Sequence, residues 1–279
     1  NNMKEKSIQE LLSFGIINID KPSGPTSFTV SEFIKKNLGI NKTSHQGTLD
    51  PQVSGVLPIL LGRACRLSNY FMHKDKTYVG IMRLHADVDE KTLKKHMKEF
   101  VGKIIQLPPV RSRVKRAERE REIKRFEILE KDGKDILFIA EVQAGTYIRK
   151  LCSDLGDKIG GAHMLELRRT QAGIFKEENL VNLYEFEKIV EQYKNGNEKF
   201  LRKIILPAEK AIKEVLPSIQ IIEKSLKSLL TGKPLMKQDF SSGVPKEEIF
   251  AAFVKEKFIG IYKKSNEKEI AARPEFVFN

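Results

Sequence analysis

Hydrophobic and polar positions along the chain fall into short runs of two kinds. Residues 15–19 are an apolar run closed by Asp20-Lys21-Pro22, which predicts a short strand. In 26–38 the apolar residues Val30, Phe33, Ile34 and Leu38 recur at helical spacing, and Gly39 follows as a C-terminal stop. Residues 56–61 have the length of a buried strand, whereas 64–71 and 91–101 read as helices. Residues 76–84 alternate, with Tyr78, Gly80 and Met82 on one side and Thr77, Val79, Ile81 and Arg83 on the other, as a strand requires. The runs 126–129 and 136–142 flank Asp132-Gly133 and predict a hairpin. Residues 146–159 form an amphipathic helical pattern whose inner face is Ile148, Leu151, Cys152, Leu155 and Ile159. A strand at 162–169 and a helix at 183–193 follow.

Asn195-Gly196-Asn197 marks a loop, and from about Ile205 the pattern changes to short strands, glycines and a single helix. The strand candidates there are 219–222, 251–255, 258–262 and 269–273. Strands and helices alternate irregularly and include a hairpin, so a mixed, largely antiparallel α+β sheet is favoured over a doubly wound fold. The organisation predicted is an extension at 1–14, a large domain at 15–204 and a small one at 205–279.

Charge narrows the partners. The 279 residues hold 50 Lys and Arg against 37 Asp and Glu, a formal charge of +13, which points to an anionic partner. Nucleic acid is the usual one because neutralising phosphates releases counterions. A membrane surface is the competing explanation, but no apolar run is long enough to span a bilayer. The amino end is polar, without the apolar core of a signal peptide. Cys65 and Cys152 are too few for a four-cysteine zinc site and suggest no secreted disulfide scaffold; buried small residues are the expected role, in a cytosolic or nuclear protein. No phosphate-binding, dinucleotide or HExxH motif is present, so no metal or cofactor is expected.

The segment HQGTLDPQVSG at 45–55 delivers one carboxylate, Asp50, between Gly47 and Gly55 just before an apolar run. Asp-Pro with glycines is ordinary turn chemistry. The same frame can also hold a carboxylate rigid and uncrowded, as a nucleophile or acid–base group needs.

Taken with GIINIDKPSGPTS (15–27), DKTYVGIMRL (75–84), AGTYIRKLCSDLG (144–156) and GAHMLELRRTQAG (161–173), this segment resembles the TruB family of pseudouridine synthases. PPVRSRVKR (108–116) and GAHMLELRRTQAG are most similar to its dyskerin-type branch, the catalytic subunit of H/ACA guide-RNA particles. The resemblance runs from about Gly15 to Gly173, and the small basic C-terminal part more weakly resembles a PUA domain, a β-barrel-like RNA-binding module.

The resemblance implies an isomerase that converts uridine in RNA to pseudouridine without metal or cofactor. Asp50 would be the nucleophile, attacking C1′ or assisting a glycal-like intermediate. Arg149 would hold it through paired hydrogen bonds, against the alternative of a solvated arginine opening a helix. Tyr78 would stack on the flipped base and stand near enough to accept a proton; otherwise it is a tyrosine on a half-buried strand. Tyr147 would pack beneath the target, His45 would enter the vacated stack or serve structurally, and Lys21 would support the loop or be a surface lysine. Leu167 would wall the pocket or pack the core. Gln46 stands where the family commonly has Gly or Thr, which bears on local RNA contacts.

The stretch 111–125 carries eight Lys and Arg against three Glu. Its Arg111, Arg113, Lys115 and Arg116 would contact RNA phosphates, unless the mixed charges mark only a solvated face. The branch implies rRNA substrates selected by an H/ACA guide RNA, possible guide-free action on tRNA uridine 55, and small H/ACA ribonucleoprotein core proteins as partners. It also implies a cytoplasmic location, or a nucleolar one in a eukaryote. The rivals are a stand-alone tRNA pseudouridine synthase and a non-catalytic RNA-binding scaffold.

Overall fold

The computed structural model describes residues 4–110 and 114–279, in two compact units, Asn1–Ile205 and Leu206–Asn279. The first begins with helix α1 (Ile8–Ser13), whose Ile8, Leu11 and Leu12 join the core, and passes directly into β1 (Phe14–Lys21). Helix α2 (Ser27–Leu38) starts where the Thr26 hydroxyl accepts a hydrogen bond from the Thr29 N–H, and ends at Gly39, in the left-handed conformation (φ +66°) that a residue lacking Cβ adopts freely. There follow β2 (Thr43–His45), β3 (Ser54–Gly62), α3 (Ser68–Met72), β4 (Lys76–Leu84), α4 (Glu90–Glu99) and β5 (Gly102–Gln106). Strands β6 (Arg119–Asp132) and β7 (Asp135–Val142), α5 (Ile148–Asp157) and β8 (Ala162–Ala172) come next. Short strands β9 (Phe175–Lys176) and β10 (Val181–Asn182), then α6 (Leu183–Lys194) and α7 (Lys199–Ile204), complete the unit.

The sheet runs in the order β10-β1-β3-β8-β4-β7-β6-β5, with β2 added to β3 and β9 to β8. It is mixed and mostly antiparallel: β3 pairs parallel with β8 and β1 parallel with β10, while β1–β3, β4–β8, β4–β7, β6–β7 and β5–β6 are antiparallel. Helices α2, α5 and α6 lay apolar faces (Val30 and Ile34; Ile148, Leu151 and Leu155; Phe186 and Val190) into one contiguous core with Ile17, Ile19, Leu57, Ile59 and Phe138. Burying these side chains is worth about 1.5–3 kcal/mol each, the main force closing the unit.

The structure shifts several predicted boundaries. The hairpin turn is Gly133-Lys134, one residue later than expected, because Asp132 already pairs with Asp135 and Gly133 supplies the positive φ (+59°). Residues 63–67 wind as a 3-10 turn before α3, so the helix expected over 64–71 is short. The basic stretch from Arg119 onward is the long strand β6, whose alternating burial includes Ile123 and Phe126.

The second unit builds a five-stranded half-barrel from Ser218–Gln220, Ile249–Val254, Lys257–Lys264, Ile270–Val277 and Leu235–Met236, in that spatial order. Two α-helices, Ala208–Val215 and Leu226–Leu230, stand where one was expected. Its own core includes Phe250, Ile259, Tyr262 and Leu235, with the Phe250 and Tyr262 rings stacked at 6.1 Å.

Gly55 lies between Lys21 of β1 and Arg169 of β8. A Cβ there would meet the Arg169 carbonyl oxygen at 2.1 Å, and φ is +111°. Gly55→Ala is expected to lower the stability of the first unit by at least about 2 kcal/mol through forced strand separation, measured as a reduced denaturant midpoint against Gly133→Ala, whose Cβ meets nothing within 4 Å.

Candidate active site

Strand β2 pairs with β3 from Thr43↔Leu61 to His45↔Ile59, after which residues 46–53 form a loop that returns as β3. The loop is fixed mainly through its backbone. The Ser27 hydroxyl accepts from the Leu49 N–H at 2.9 Å and donates to the Leu49 carbonyl at 3.1 Å. The Pro51 carbonyl accepts from the Gly24 N–H at 2.7 Å and from Lys21 Nζ at 2.9 Å. Lys21 is fully buried and also donates to the Pro22 carbonyl at 2.8 Å; burial pushes its pKa down, and the Asp50 carboxylate partly offsets this. Leu49 and Val53 sink into the core while Asp50, between them, is exposed. Apolar burial on both sides of one solvated carboxylate presents that group on a fixed turn.

Beneath the loop lies Arg169, a residue that pattern reading did not single out. It is 1% exposed. Its Nε donates to the Val56 carbonyl at 2.9 Å, and its Nη2 to the carbonyls of Gly47 at 2.8 Å and Gln46 at 3.2 Å. Tyr78 stands directly opposite it in the β4–β8 ladder, and its phenol acts electrostatically on the guanidinium. Desolvation lowers the Arg169 pKa, and among the described residues no carboxylate is ion-paired with it. Neutral carbonyl oxygens from the loop and from β3 therefore meet a buried charge.

Tyr78 and Gly80 of β4 face Arg169 and Leu167 of β8 as cross-strand pairs on one side of the sheet. Leu167, 8% exposed, crosses Gly80, where a Cβ would come within 2.9 Å of its Cδ1. Tyr78 is half-buried. His45 is also half-buried, with Nε2 3.2 Å from the Thr48 hydroxyl, and burial and the Arg169 charge hold its pKa below the usual imidazole range. A second buried cation, Lys76, donates to the carbonyls of Met72 and Lys74. Burial, then Arg169, brings its pKa to about 8 against a modest opposing pull from Asp75.

Arg149 sits exposed in the first turn of α5. Among the described residues neither it nor Asp50 makes an ion pair, so the expected paired contact between them is not formed. Both segments are nevertheless anchored in one core, Leu49 and Val53 on one side and Ile148 and Cys152 on the other. Tyr147 is held by Gln106, which is 2% exposed: the Tyr147 N–H donates to Gln106 Oε1 at 2.9 Å, and Gln106 Nε2 donates to the Tyr147 carbonyl at 3.1 Å. Gln106 was not identified from the sequence. Cys65 and Cys152 are buried free thiols, Cys65 donating to the Leu60 carbonyl at 3.5 Å, and burial pushes the Cys152 thiol up to about 12.

Arg111 and Arg113 lie outside the described residues, while Lys115 and Arg116 are exposed ahead of β6. Among the described residues no cluster of His, Cys, Asp and Glu could hold a metal ion, and no helix is long and apolar enough to cross a membrane.

Residues 35–148 match the N-terminal domain of the TruB family of pseudouridylate synthases, and 149–213 the C-terminal domain of tRNA pseudouridylate synthase B. A probable tRNA pseudouridine synthase B of Methanopyrus kandleri is 47% identical over 83% of this chain and 69% of its own length. A protein of the same description from Pyrococcus horikoshii is 48% identical over 83% and 70%. Among solved structures, a chain in a Cbf5-Nop10-Gar1 complex superposes with a TM-score of 0.89 and 40% identity, covering 98% of this chain and 88% of that one. A chain in an H/ACA ribonucleoprotein bound to a substrate RNA containing 2′-deoxyuridine gives 0.87 and 38%, with the same coverage. An α+β catalytic domain is thus followed by a small β-barrel-like PUA domain, and the class is that of RNA-modifying isomerases. The chain belongs to the TruB family and is an RNA pseudouridine synthase.

Lys76 supplies a pH test. Its folded pKa, about 8, lies below its ordinary 10.5. Between those values the unfolded chain binds the extra proton, so stability rises with pH over that window; below pH 8 the penalty is constant. Wild type is expected to gain on the order of 2–3 kcal/mol relative to Lys76→Met between pH 7.5 and 10, read from denaturant midpoints.

Proposed function

We propose that this synthase is guide-dependent, modifying uridines in ribosomal RNA that an H/ACA guide selects by base pairing. The observation that carries this reading is the match over 98% of the chain to Cbf5-type structures from H/ACA particles, at TM-scores of 0.89 and 0.87. The partners are then small core proteins of the kind named in those complexes, Nop10 and Gar1. A second reading, direct action on tRNA uridine 55, is favoured by the descriptions of the curated relatives as probable tRNA pseudouridine synthases. The third, a non-catalytic scaffold, is opposed by the joint presence of Asp50, Tyr78 and Arg149.

On this reading the enzyme receives a flipped nucleotide, since the reacting atoms are inaccessible within a stack. Asp50 supplies the carboxylate while the bond from uracil N1 to C1′ breaks. The base turns, C5 joins C1′, and the C5 proton is lost as N1 gains one, so the reaction is redox-neutral. Tyr78 stacks on the detached uracil, a grip worth about 1–3 kcal/mol per base, and takes the proton. Arg149 swings to Asp50 when RNA fills the site, which its exposed position allows. His45, kept neutral near pH 7, enters the vacated stack without carrying charge into it. Tyr147 and Leu167 border the target, and Lys21 supports the loop through the Pro51 carbonyl. Arg111, Arg113, Lys115 and Arg116 contact phosphates.

Site-resolved pseudouridine formation separates the readings. Wild type with core proteins is expected to modify a guide-paired ribosomal fragment, and Asp50→Asn to bind it without forming product. Product on an unguided tRNA transcript alone would move the protein to the stand-alone class, and persistence of product in Asp50→Asn would remove that residue from its role. Replacing Lys115 and Arg116 by Ala should lower the slope of log affinity against log salt by about 1–2, and an unchanged slope would make that segment solvated surface.

A further inference from the structure

Arg169 joins the two parts of the site that the proposed chemistry must keep in register. Its Nη2 and Nε hold the carbonyls of Gln46, Gly47 and Val56, so it grips the Asp50 loop at its entry and beyond its exit. On its other side Arg169 is paired directly with Tyr78 of the adjacent strand β4. Arg169 therefore bridges the two, bonding to the segment carrying Asp50 and lying paired against the strand carrying Tyr78. The loop is packed closely onto the cation: a Cβ at Gly47 would stand 3.0 Å from Arg169 Nη1. Arg168, the preceding residue, faces away, donating to Asp20 at 3.0 and 3.1 Å and to Glu177 at 2.7 Å, a carboxylate pairing of ordinary structural kind.

A buried guanidinium has a rigid planar set of donors, and each must find an acceptor. A lysine could keep the charge but not that fork. A neutral side chain of similar bulk would leave loop carbonyls unmatched. Orienting elements of this kind affect rate steeply, because a displacement of about 1 Å can cost 10²-fold.

We propose that Arg169 is a positioning residue of the reaction, setting the separation between the Asp50 loop and the Tyr78 ring. This rests on the roles assigned to Asp50 and Tyr78 above. The role is distinct from that of Arg149, which is exposed and free to meet the substrate, whereas Arg169 never touches it.

The test uses the full chain with its core proteins and a guide-paired RNA, comparing wild type, Asp50→Asn, Tyr78→Phe, Arg169→Lys and the double variant Arg169→Lys/Tyr78→Phe. Fold is checked by a cooperative thermal transition, RNA affinity by titration, and chemistry by single-turnover product formation. Arg169→Lys is expected to fold, to bind RNA within about 3-fold of wild type, and to form product about 100-fold more slowly. The double variant is expected to be slowed by less than the product of the two single effects, since Arg169 acts in part through the position of the Tyr78 ring. Multiplying effects, a rate within 3-fold of wild type, or equal loss of affinity and rate would overturn the proposal. Should Arg169→Lys fail to fold, Arg169→Gln is measured in its place by the same criteria; failure of both to fold would leave Arg169 a purely structural role and likewise overturn it. Product from Asp50→Asn would defeat the underlying assignment instead, whatever Arg169→Lys does.

Discussion

An ionised guanidinium removed from water imposes conditions on everything around it. Each N–H must meet an oxygen in a fixed plane, and a one-residue error leaves a charge uncompensated in the interior. In this fold that demand is made at Arg169, where β8 lies between β3 and β4. The pairings Gly55↔Arg169 and Tyr78↔Arg169 are thereby locked together. Arg168 and Arg169 are identical in chemistry and opposite in fate, one paired with surface carboxylates and the other enclosed. Sliding β8 by one position would exchange them, so the doublet specifies register more strictly than the apolar residues of the strand alone.

The loop over this cation is shaped through main-chain atoms. Lys21 from β1, Ser27 from α2 and Arg169 from β8 each reach it, and what they contact are carbonyls and an N–H. Such contacts are available to any residue, so away from Gly47 and the buried Leu49 and Val53 the course of the loop depends little on side-chain identity. This accounts for Gln46 where smaller residues are common in the family. Its carbonyl meets Arg169 and its amide donates to the Ser68 hydroxyl at 2.8 Å.

Periodicity made the larger elements legible. Helices α2, α5 and α6 and strands β4, β7 and β8 follow from helical spacing or alternation, while β1 and β3, buried on both faces, show as continuous apolar runs. The short strands β2 and β5 left no such trace, since too few residues repeat, and the hairpin turn moved by one residue because Asp132 joins its partner strand. Motif resemblance brought Asp50, Tyr78 and Arg149 forward together. Arg169 and Gln106 escaped notice for a shared reason: each is a polar side chain whose importance comes from burial, and burial depends on pairings made across more than 40 positions of chain. Within LRRT nothing distinguishes the enclosed arginine from the exposed one until strands β3 and β4 are placed beside it.

The way the Asp50 loop is tethered bears on the thermodynamics of RNA encounter. A loop that becomes ordered only on binding contributes an unfavourable conformational entropy to association, commonly with a large heat-capacity change from coupled folding. Here the main chain from Gln46 to Val53 is already engaged at Gln46, Gly47, Leu49, Pro51 and Val53 before any RNA arrives. On the proposed reading, the ordering required at this loop consequently falls on the nucleotide rather than on the polypeptide that would receive it.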